Sequence, residues 1–211
     1  MQPATDPEYT CPRCGGAVHR DEDGSTWCQI DGVVAAVPPF TQPSVYDVLQ
    51  HLTDVPMPAW MPWPMPAHWA LAGVGRAGER PVQAVVTAFN GPDPLDGTAD
   101  LLLVSEEAGV GMGAGYAGTP GLQVAREIAG TPPATKVTVD GHATPLWWLG
   151  ERLDRDVFVG EASGRWLWLI AFPATAGALV RGDLVVVDAH DLMGQLDVVP
   201  VTALSTRLTR D

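Results

Sequence analysis

The sequence predicts an α+β protein, with a mostly antiparallel sheet and a few short helices, preceded by a small zinc-ribbon-like module. Two hairpins support the sheet. Each turn lies between two apolar runs: Asp140-Gly141 between 136–139 and 143–148, and Ser163-Gly164 between 157–161 and 165–172. A small polar residue followed by glycine in such a place is typical of a two-residue β-turn. Hairpins outnumber crossovers, so we expect mainly antiparallel pairing.

The run 165–172 is apolar on both of its alternating faces, which predicts a central strand that is covered on both sides. Further apolar runs predict strands at 69–75, 82–89, 101–104, 184–187 and 196–199, with a short strand at 33–37 near the N-terminus.

Three segments predict helices. The run 122–129 follows Thr119-Pro120 and ends at Gly130, which is the pattern of a helix with both ends marked. Shorter helices are predicted at 174–180 and at 44–52, where Ser44 is the N-cap and Val45, Val48, Leu49 and Leu52 share one face.

The predicted organisation has four parts. Residues 1–9 form a disordered tail, and 10–40 form the zinc-ribbon-like module. Residues 41–68 contain a short helix and a strap rich in Pro, Trp and Met, and 69–211 form the α+β domain.

The composition excludes some functional classes. A 211-residue chain with 46% hydrophobic and 18% charged residues is globular, but its net charge is −13. Only 12 basic residues are present, without a clustered run, so binding to nucleic acid or to an anionic membrane is not expected. We expect no signal peptide and no membrane span. Three cysteines within the first 28 residues indicate thiolate ligation in a reducing compartment, which predicts a cytoplasmic protein.

The candidate metal ligands are Cys11, Cys14, Cys28 and Asp31. Cys11 and Cys14 are separated by two residues, and so are Cys28 and Asp31. Each pair fits one turn that supplies two ligands, and together they give the four ligands of a tetrahedral structural Zn²⁺ site. Asp31 occupies the fourth position by spacing. His19 or a water molecule is an alternative fourth ligand, and a decayed, metal-free site is the alternative for the whole cluster. Zinc is favoured over iron, in a structural role.

The strap contains five prolines between 55 and 69, which exclude an α-helix and favour polyproline II. Its period of three residues places Trp60, Trp63 and Trp69 on one edge. These tryptophans are candidate partner-binding residues if exposed, or they pack the strap onto the main domain; packing is the favoured interpretation.

The segment 109–118 alternates glycine with other residues. Gly113, Gly115 and Gly118 match a dinucleotide-binding spacing, but the preceding strand ends too early and Pro120 stands where the helix should run. With Gly111, they remain candidates for a ligand or anion site made of backbone amides. The alternative is a closely packed glycine-rich element.

No catalytic residues are predicted. The five histidines lack metal or triad spacing, and no serine lies in a nucleophile elbow. Asp188, His190 and Asp191 could form an acid–base site, but a solvated loop is the favoured interpretation.

Several motifs together resemble an uncharacterised family of actinobacterial cytoplasmic proteins. They are Cys-Pro-Arg-Cys-Gly-Gly, the Met-Pro-Trp-Pro stretch, the glycine segment 109–118, Thr144-Pro145-Leu146-Trp147 and Arg165-Trp166-Leu167-Trp168. Members of that family tend to carry His at the position of Asp31, which implies this position as the fourth metal ligand. The family has no assigned activity, so the resemblance implies no catalytic residues.

Two functions remain as hypotheses. The first is a non-enzymatic adaptor or regulatory protein with a zinc-ribbon-like module that binds a protein partner. The second is a small-molecule-binding domain or an enzyme that uses the segment 109–118.

Overall fold

The computed structural model describes residues 9–22, 24–44, 46, 48, 50, 54–152 and 154–209. Most of the predicted tail and most of the predicted helix at 44–52 lie outside these residues, although Tyr46, Val48 and Gln50 are helical. Within the described part of the chain, no helix is long and apolar enough to cross a membrane.

The strands and helices follow in this order: β1 (Val18–Arg20), β2 (Thr26–Cys28), β3 (Gly32–Val33), β4 (Trp60–Pro62), β5 (Ala70–Ala77), β6 (Ala84–Pro92), β7 (Thr98–Glu106), α1 (Met112–Tyr116), α2 (Val124–Glu127), β8 (Thr135–Val139), β9 (His142–Arg152), β10 (Arg155–Ala162), β11 (Arg165–Phe172), α3 (Gly177–Arg181) and β12 (Val185–Asp188). Two 3-10 helices, Ala174–Ala176 and Ala189–Val198, flank α3 and β12.

The predicted α+β class is wrong, because the protein is mostly β. Nine strands form one curled half-barrel sheet in the order β4-β12-β8-β9-β10-β11-β7-β6-β5, and the helices that the structure describes amount to only 16%. The helices are too short to form a layer of their own. The predicted helix at 122–129 shrinks to the four residues of α2, between Gly121 and Gly130, which both have positive φ. The predicted strand at 196–199 falls largely in a 3-10 helix.

Both predicted hairpins are confirmed. Val139 pairs with His142 across Asp140-Gly141, and Ala162 pairs with Arg165 across Ser163-Gly164. All four turn residues have positive φ, which the glycines adopt without strain. Pairing in the large sheet is antiparallel apart from β8 with β12, which run parallel.

The large sheet is covered on both faces around β11. Leu167, Leu169 and Ala171 belong to the apolar cluster on one face, while Trp168 and Ile170 belong to the cluster on the other. The alternation of the sequence therefore predicts the position of this strand correctly. Residues Trp60–Pro62 of the strap form strand β4, which pairs with β12 and closes the first cluster, so these three residues are not polyproline II as predicted.

The second, smaller sheet consists of β1, β2 and β3 near the N-terminus, and we call it the N-terminal sheet. Its strands have only two or three residues, and the first cysteine turn is closed by single bridges from Thr10 to Ala17 and Val37. The predicted zinc-ribbon fold is therefore not established by the structure. What the structure does provide is a group of side chains with the geometry of a metal site.

Candidate metal centre

The first cysteine turn brings two thiols to one side of the chain. The Gly15 amide donates to the Cys11 carbonyl at 2.9 Å, and the Cys11 amide donates to the Gly16 carbonyl at 2.8 Å. Gly15 has a φ of 77°, a backbone conformation in which glycine is not strained. The turn also directs the Arg13 amide to the Cys11 sulfur at 3.4 Å, which is the kind of contact that supports a thiolate ligand.

The second turn places Cys28 and Asp31 against the first pair. Cys28 ends β2 and pairs with Gly32 at the start of β3, so the chain reverses direction between them. Gly32 has a φ of 71°, and this reversal places the Asp31 carboxylate beside the thiols. The ligand atoms of Cys11, Cys14, Cys28 and Asp31 all lie within 4.8 Å of one another.

The individual distances fit a tetrahedral ion. Sulfurs bound to zinc at about 2.3 Å lie about 3.8 Å apart in a tetrahedron, and sulfur to carboxylate oxygen is about 3.6 Å. The structure has 3.5 Å between the sulfurs of Cys14 and Cys28. Asp31 Oδ2 lies 3.3 Å from the Cys11 sulfur and 3.7 Å from the Cys28 sulfur. The four residues therefore fit a divalent metal ion, with the carboxylate as the fourth ligand.

The protonation of the four groups follows from burial and hydrogen bonding. Burial raises the pKa of the Cys11 thiol to about 12, and it also raises the pKa of Cys14. Burial acts in the same direction on Cys28, but backbone amides of Asp31 and Ile30 outweigh it and lower the pKa of that thiol. Burial is likewise outweighed at Asp31, where the neighbouring thiols lower the pKa of the carboxyl group. A metal ion would displace thiol protons, which makes its binding dependent on pH.

Arg13 connects this cluster to the main sheet. Its guanidinium donates from Nη2 to the Gly109 carbonyl at 2.6 Å, from Nε to the Val110 carbonyl at 3.1 Å and from Nη1 to the Asp31 carbonyl at 3.3 Å. The Arg13 side chain thus forms hydrogen bonds with both the second cysteine turn and the start of the glycine segment. The sequence does not predict this role, because Arg13 is separated from Gly109 by 96 residues. No motif in the sequence indicates that the two residues are in contact.

The glycine segment is organised around a buried carboxylate that sequence reasoning also missed. Glu106 Oε2 accepts the amides of Met112 and Gly113 at 2.7 and 3.2 Å, and Glu106 Oε1 accepts Trp168 Nε1 at 2.7 Å. Burial raises the pKa of Glu106. The amides at this turn are therefore used by a side chain of the protein itself.

The four glycine candidates have different environments. Gly111 precedes α1 with a φ of 84°, and a Cβ there would lie 2.9 Å from Arg13 Cγ. Gly113 packs so closely that a Cβ would lie 2.3 Å from the Trp168 ring. Gly115 donates its amide to the Gly111 carbonyl at 3.0 Å, and Gly118 follows α1 with a φ of 70°.

The strap tryptophans face the interior. Trp60 and Trp69 are 1% and 3% exposed, and Trp63 is partly buried against the same cluster. A partner could reach the first two only after a rearrangement of the strap. The exposed large apolar side chains include Trp27, Ile30 and Val33. These three belong to the N-terminal sheet or to the second cysteine turn.

His19 lies in β1 opposite Trp27, exposed, on the strand face opposite that of Val18 and Cys28. The structure groups Asp31, and not His19, with the three thiols. His190 also has a structural setting, since Nδ1 lies 2.6 Å from Asp188 Oδ1 and Nε2 lies 3.0 Å from the Val55 carbonyl.

Fold and site together define a β-sheet protein with a candidate metal centre in its N-terminal segment. The chain belongs to a family of unknown function (DUF6758), whose family model matches residues 5–208. This confirms the predicted membership in an uncharacterised family, while its actinobacterial distribution stays a prediction. Comparisons with curated proteins and with solved structures found no match.

Proposed function

We propose that this chain is a non-enzymatic cytoplasmic adaptor or regulatory protein whose N-terminal sheet, held by a structural zinc ion, binds a protein partner. The observation that carries the proposal is the division of strand β2 into two faces. Cys28 is 2% exposed and faces the metal cluster, whereas the adjacent Trp27 is 41% exposed and faces outward. A metal ion bound beneath the strand would therefore fix the position of the side chains above it.

The outward face is apolar over several residues. His19, Trp27 and Val33 stand opposite one another on the three strands, so their side chains form one row across the sheet. Ile30, in the second cysteine turn, is also well exposed. Exposed apolar side chains grouped in this way are typical of a protein-interaction site, and a tryptophan is the usual centre of such a site.

The charge around this face indicates the chemistry of the partner. Asp21 and Glu22 are exposed in the turn after β1, and the whole chain carries a net charge of −13. A partner with apolar side chains flanked by Lys or Arg is complementary to both features. The same charge disfavours nucleic acid as the partner.

The metal is tested first. Protein purified without added metal is assayed for zinc by mass spectrometry, and its unfolding is followed before and after treatment with a chelator. We expect about one zinc per chain and a loss of order in the N-terminal sheet after chelation, as for other structural sites. A metal content far below one equivalent, with unfolding unaffected by chelator, would overturn the structural role of zinc.

The partner face is tested by photo-crosslinking in an extract of the native cells, at physiological salt and at high salt. A diazirine amino acid is placed at Ile30 or, as a matched control, at Leu95, because the two side chains are exposed to 79% and 78%. We expect one protein to be captured from position 30 alone, and its capture to fall in about 0.5 M salt because charge attraction is screened. Capture of a second copy of this chain, or equal capture from both positions, would contradict the proposal.

A further inference from the structure

A large polar cleft lies between the N-terminal sheet and the near end of the main sheet. Its volume is about 870 Å³, within the range of small-molecule sites. One wall contains Arg20 of β1, and the opposite wall contains Arg76 at the end of β5 and Arg80 in the turn that follows. The residues after β7, including Gly109 and Val110, close a further side.

Hydrogen bonds at two sides of the cleft connect its walls and fix the distance between them. On one side, Tyr9 Oη and Arg20 Nη2 donate to Glu79 Oε1 at 3.0 and 2.6 Å. On the other side, Arg13 binds the carbonyl groups of Gly109 and Val110. The cleft is therefore formed before any ligand enters, which lowers the entropic cost of binding.

The charge of the cleft is opposite to that of the chain. Four of the 12 basic residues line it, against three carboxylates, in a protein with a net charge of −13. The carboxylates are Asp54, Glu79 and Glu107. Of these, Glu79 is occupied by Tyr9 and Arg20, and Glu107 lies 3.9 Å from Arg165. A cleft concentrates the electrostatic field of the groups that line it. The local excess of arginine therefore attracts an anionic ligand, although the chain as a whole is negatively charged.

Two of the arginines are available to a ligand. Among the residues that the structure describes, none forms a hydrogen bond or a close ion pair with the guanidinium of Arg76 or Arg80. Arg80 is exposed, and Arg76 is half-buried close enough to Glu79 and Tyr9 to affect their pKa values. A guanidinium presents a planar set of donors that matches phosphate or carboxylate oxygens in a two-point contact.

We propose that this cleft binds a small polar polyanion, a molecule of roughly nucleotide size with phosphate or carboxylate groups, and that Arg76 and Arg80 are its anchors. This site goes beyond the partner-binding face, with which it shares the lining residue Val33, and does not depend on the identity of the partner. It also differs from the predicted glycine site, whose amides at Met112 and Gly113 bind Glu106.

The test uses titration calorimetry of the full chain at constant ionic strength, with inorganic tripolyphosphate and citrate as probes. The cleft variant is Arg76→Ala with Arg80→Ala. The control is Arg126→Ala with Lys136→Ala, which removes the same charge from two exposed residues outside the cleft. We expect saturable one-to-one binding of at least one probe, weakened about tenfold or more in the cleft variant and less than about twofold in the control, because only the cleft variant removes guanidinium groups that contact the anion.

The single variant Arg80→Glu is a second test with little risk of misfolding, because Arg80 is exposed and forms no hydrogen bond or ion pair within the described structure. Thermal unfolding and zinc content are measured on every variant. Loss of probe binding with zinc content unchanged separates this site from the metal centre. The absence of saturable binding by both probes, or equal weakening in the two double variants, would overturn the proposal.

Discussion

The indole Nε1 of Trp168 donates a hydrogen bond of 2.7 Å to the carboxylate of Glu106 in the interior of the protein. Both residues are almost fully buried, Trp168 in the central strand β11 and Glu106 at the end of β7. The same carboxylate accepts two amides at the start of α1. One side chain thus joins two strands to the glycine segment that carries the Arg13 contact.

Replacement of Glu106 by alanine should strongly destabilise the protein. The change leaves three buried donors without acceptors, and each costs about 1–3 kcal/mol. We therefore expect the free energy of unfolding, measured in urea, to fall by about 3 kcal/mol or more. The control is Glu107→Ala, the next residue, whose side chain is about half exposed and should contribute less than about 1 kcal/mol. Equal losses for the two variants would contradict the role of Glu106.

Gly113 should not tolerate a methyl group. A Cβ at this position would lie 2.3 Å from the Trp168 ring, so Gly113→Ala must displace the ring or α1. We expect a loss of about 1–3 kcal/mol in urea unfolding, as is usual for overpacking.

Gly194 provides the matched control for this prediction. A Cβ there meets nothing within 4 Å, and its φ is not positive. Gly194→Ala should therefore be neutral or stabilising by up to about 1 kcal/mol, through the entropy of the unfolded chain. A destabilisation by Gly113→Ala no larger than that by Gly194→Ala would refute the close packing against Trp168.

The sequence predicts the hairpins and β11 because turn chemistry and alternation are local signals. It does not predict the class of the fold, because the proportion of helix to sheet depends on the length of each helix. The run 122–129 has the end signals of a helix, yet only Val124–Glu127 is helical. The strap has the prolines of polyproline II, yet Trp60–Pro62 pairs with β12 as a strand. Tertiary pairing decides both cases.

The sequence likewise predicts one part of the candidate site and not the other. The spacing of Cys11, Cys14, Cys28 and Asp31 identifies all four members of the cluster, because each pair lies within one turn. The sequence does not predict Arg13, Glu106 or the arginine cleft, because each depends on at least one contact between residues far apart in the chain, such as Arg13 with Gly109 and Glu106 with Trp168. A buried Glu or a cluster of Arg side chains becomes visible only when the strands are placed.

The stability of the protein should depend on the ionisation of Asp93. Burial would raise the pKa of this carboxyl group, but the amides of Leu95 and Asp96 and the hydroxyl of Thr175 outweigh it and lower the pKa. Ionised Asp93 therefore stabilises the native state at neutral pH, and this contribution is lost as the pH falls below about 4, through the native-state pKa. We expect Asp93→Asn to be less stable than the wild type in urea at pH 7, with the difference shrinking as the pH falls below about 4. A difference that does not change with pH would show that ionisation of Asp93 is not involved.

The last prediction concerns the fourth metal ligand. Asp31 Oδ2 lies 3.3 Å from the Cys11 sulfur, so a thiolate introduced at this position would complete a four-cysteine site. We expect Asp31→Cys to bind zinc about tenfold or more tightly, and Asp31→Ala to bind it more weakly, in competition with a chromophoric chelator. Asp21→Cys is the control, because it adds a thiol to the same sheet at an exposed position outside the cluster. If Asp31→Cys and Asp21→Cys bind zinc alike, Asp31 is not a ligand and the fourth position belongs to water or to another group.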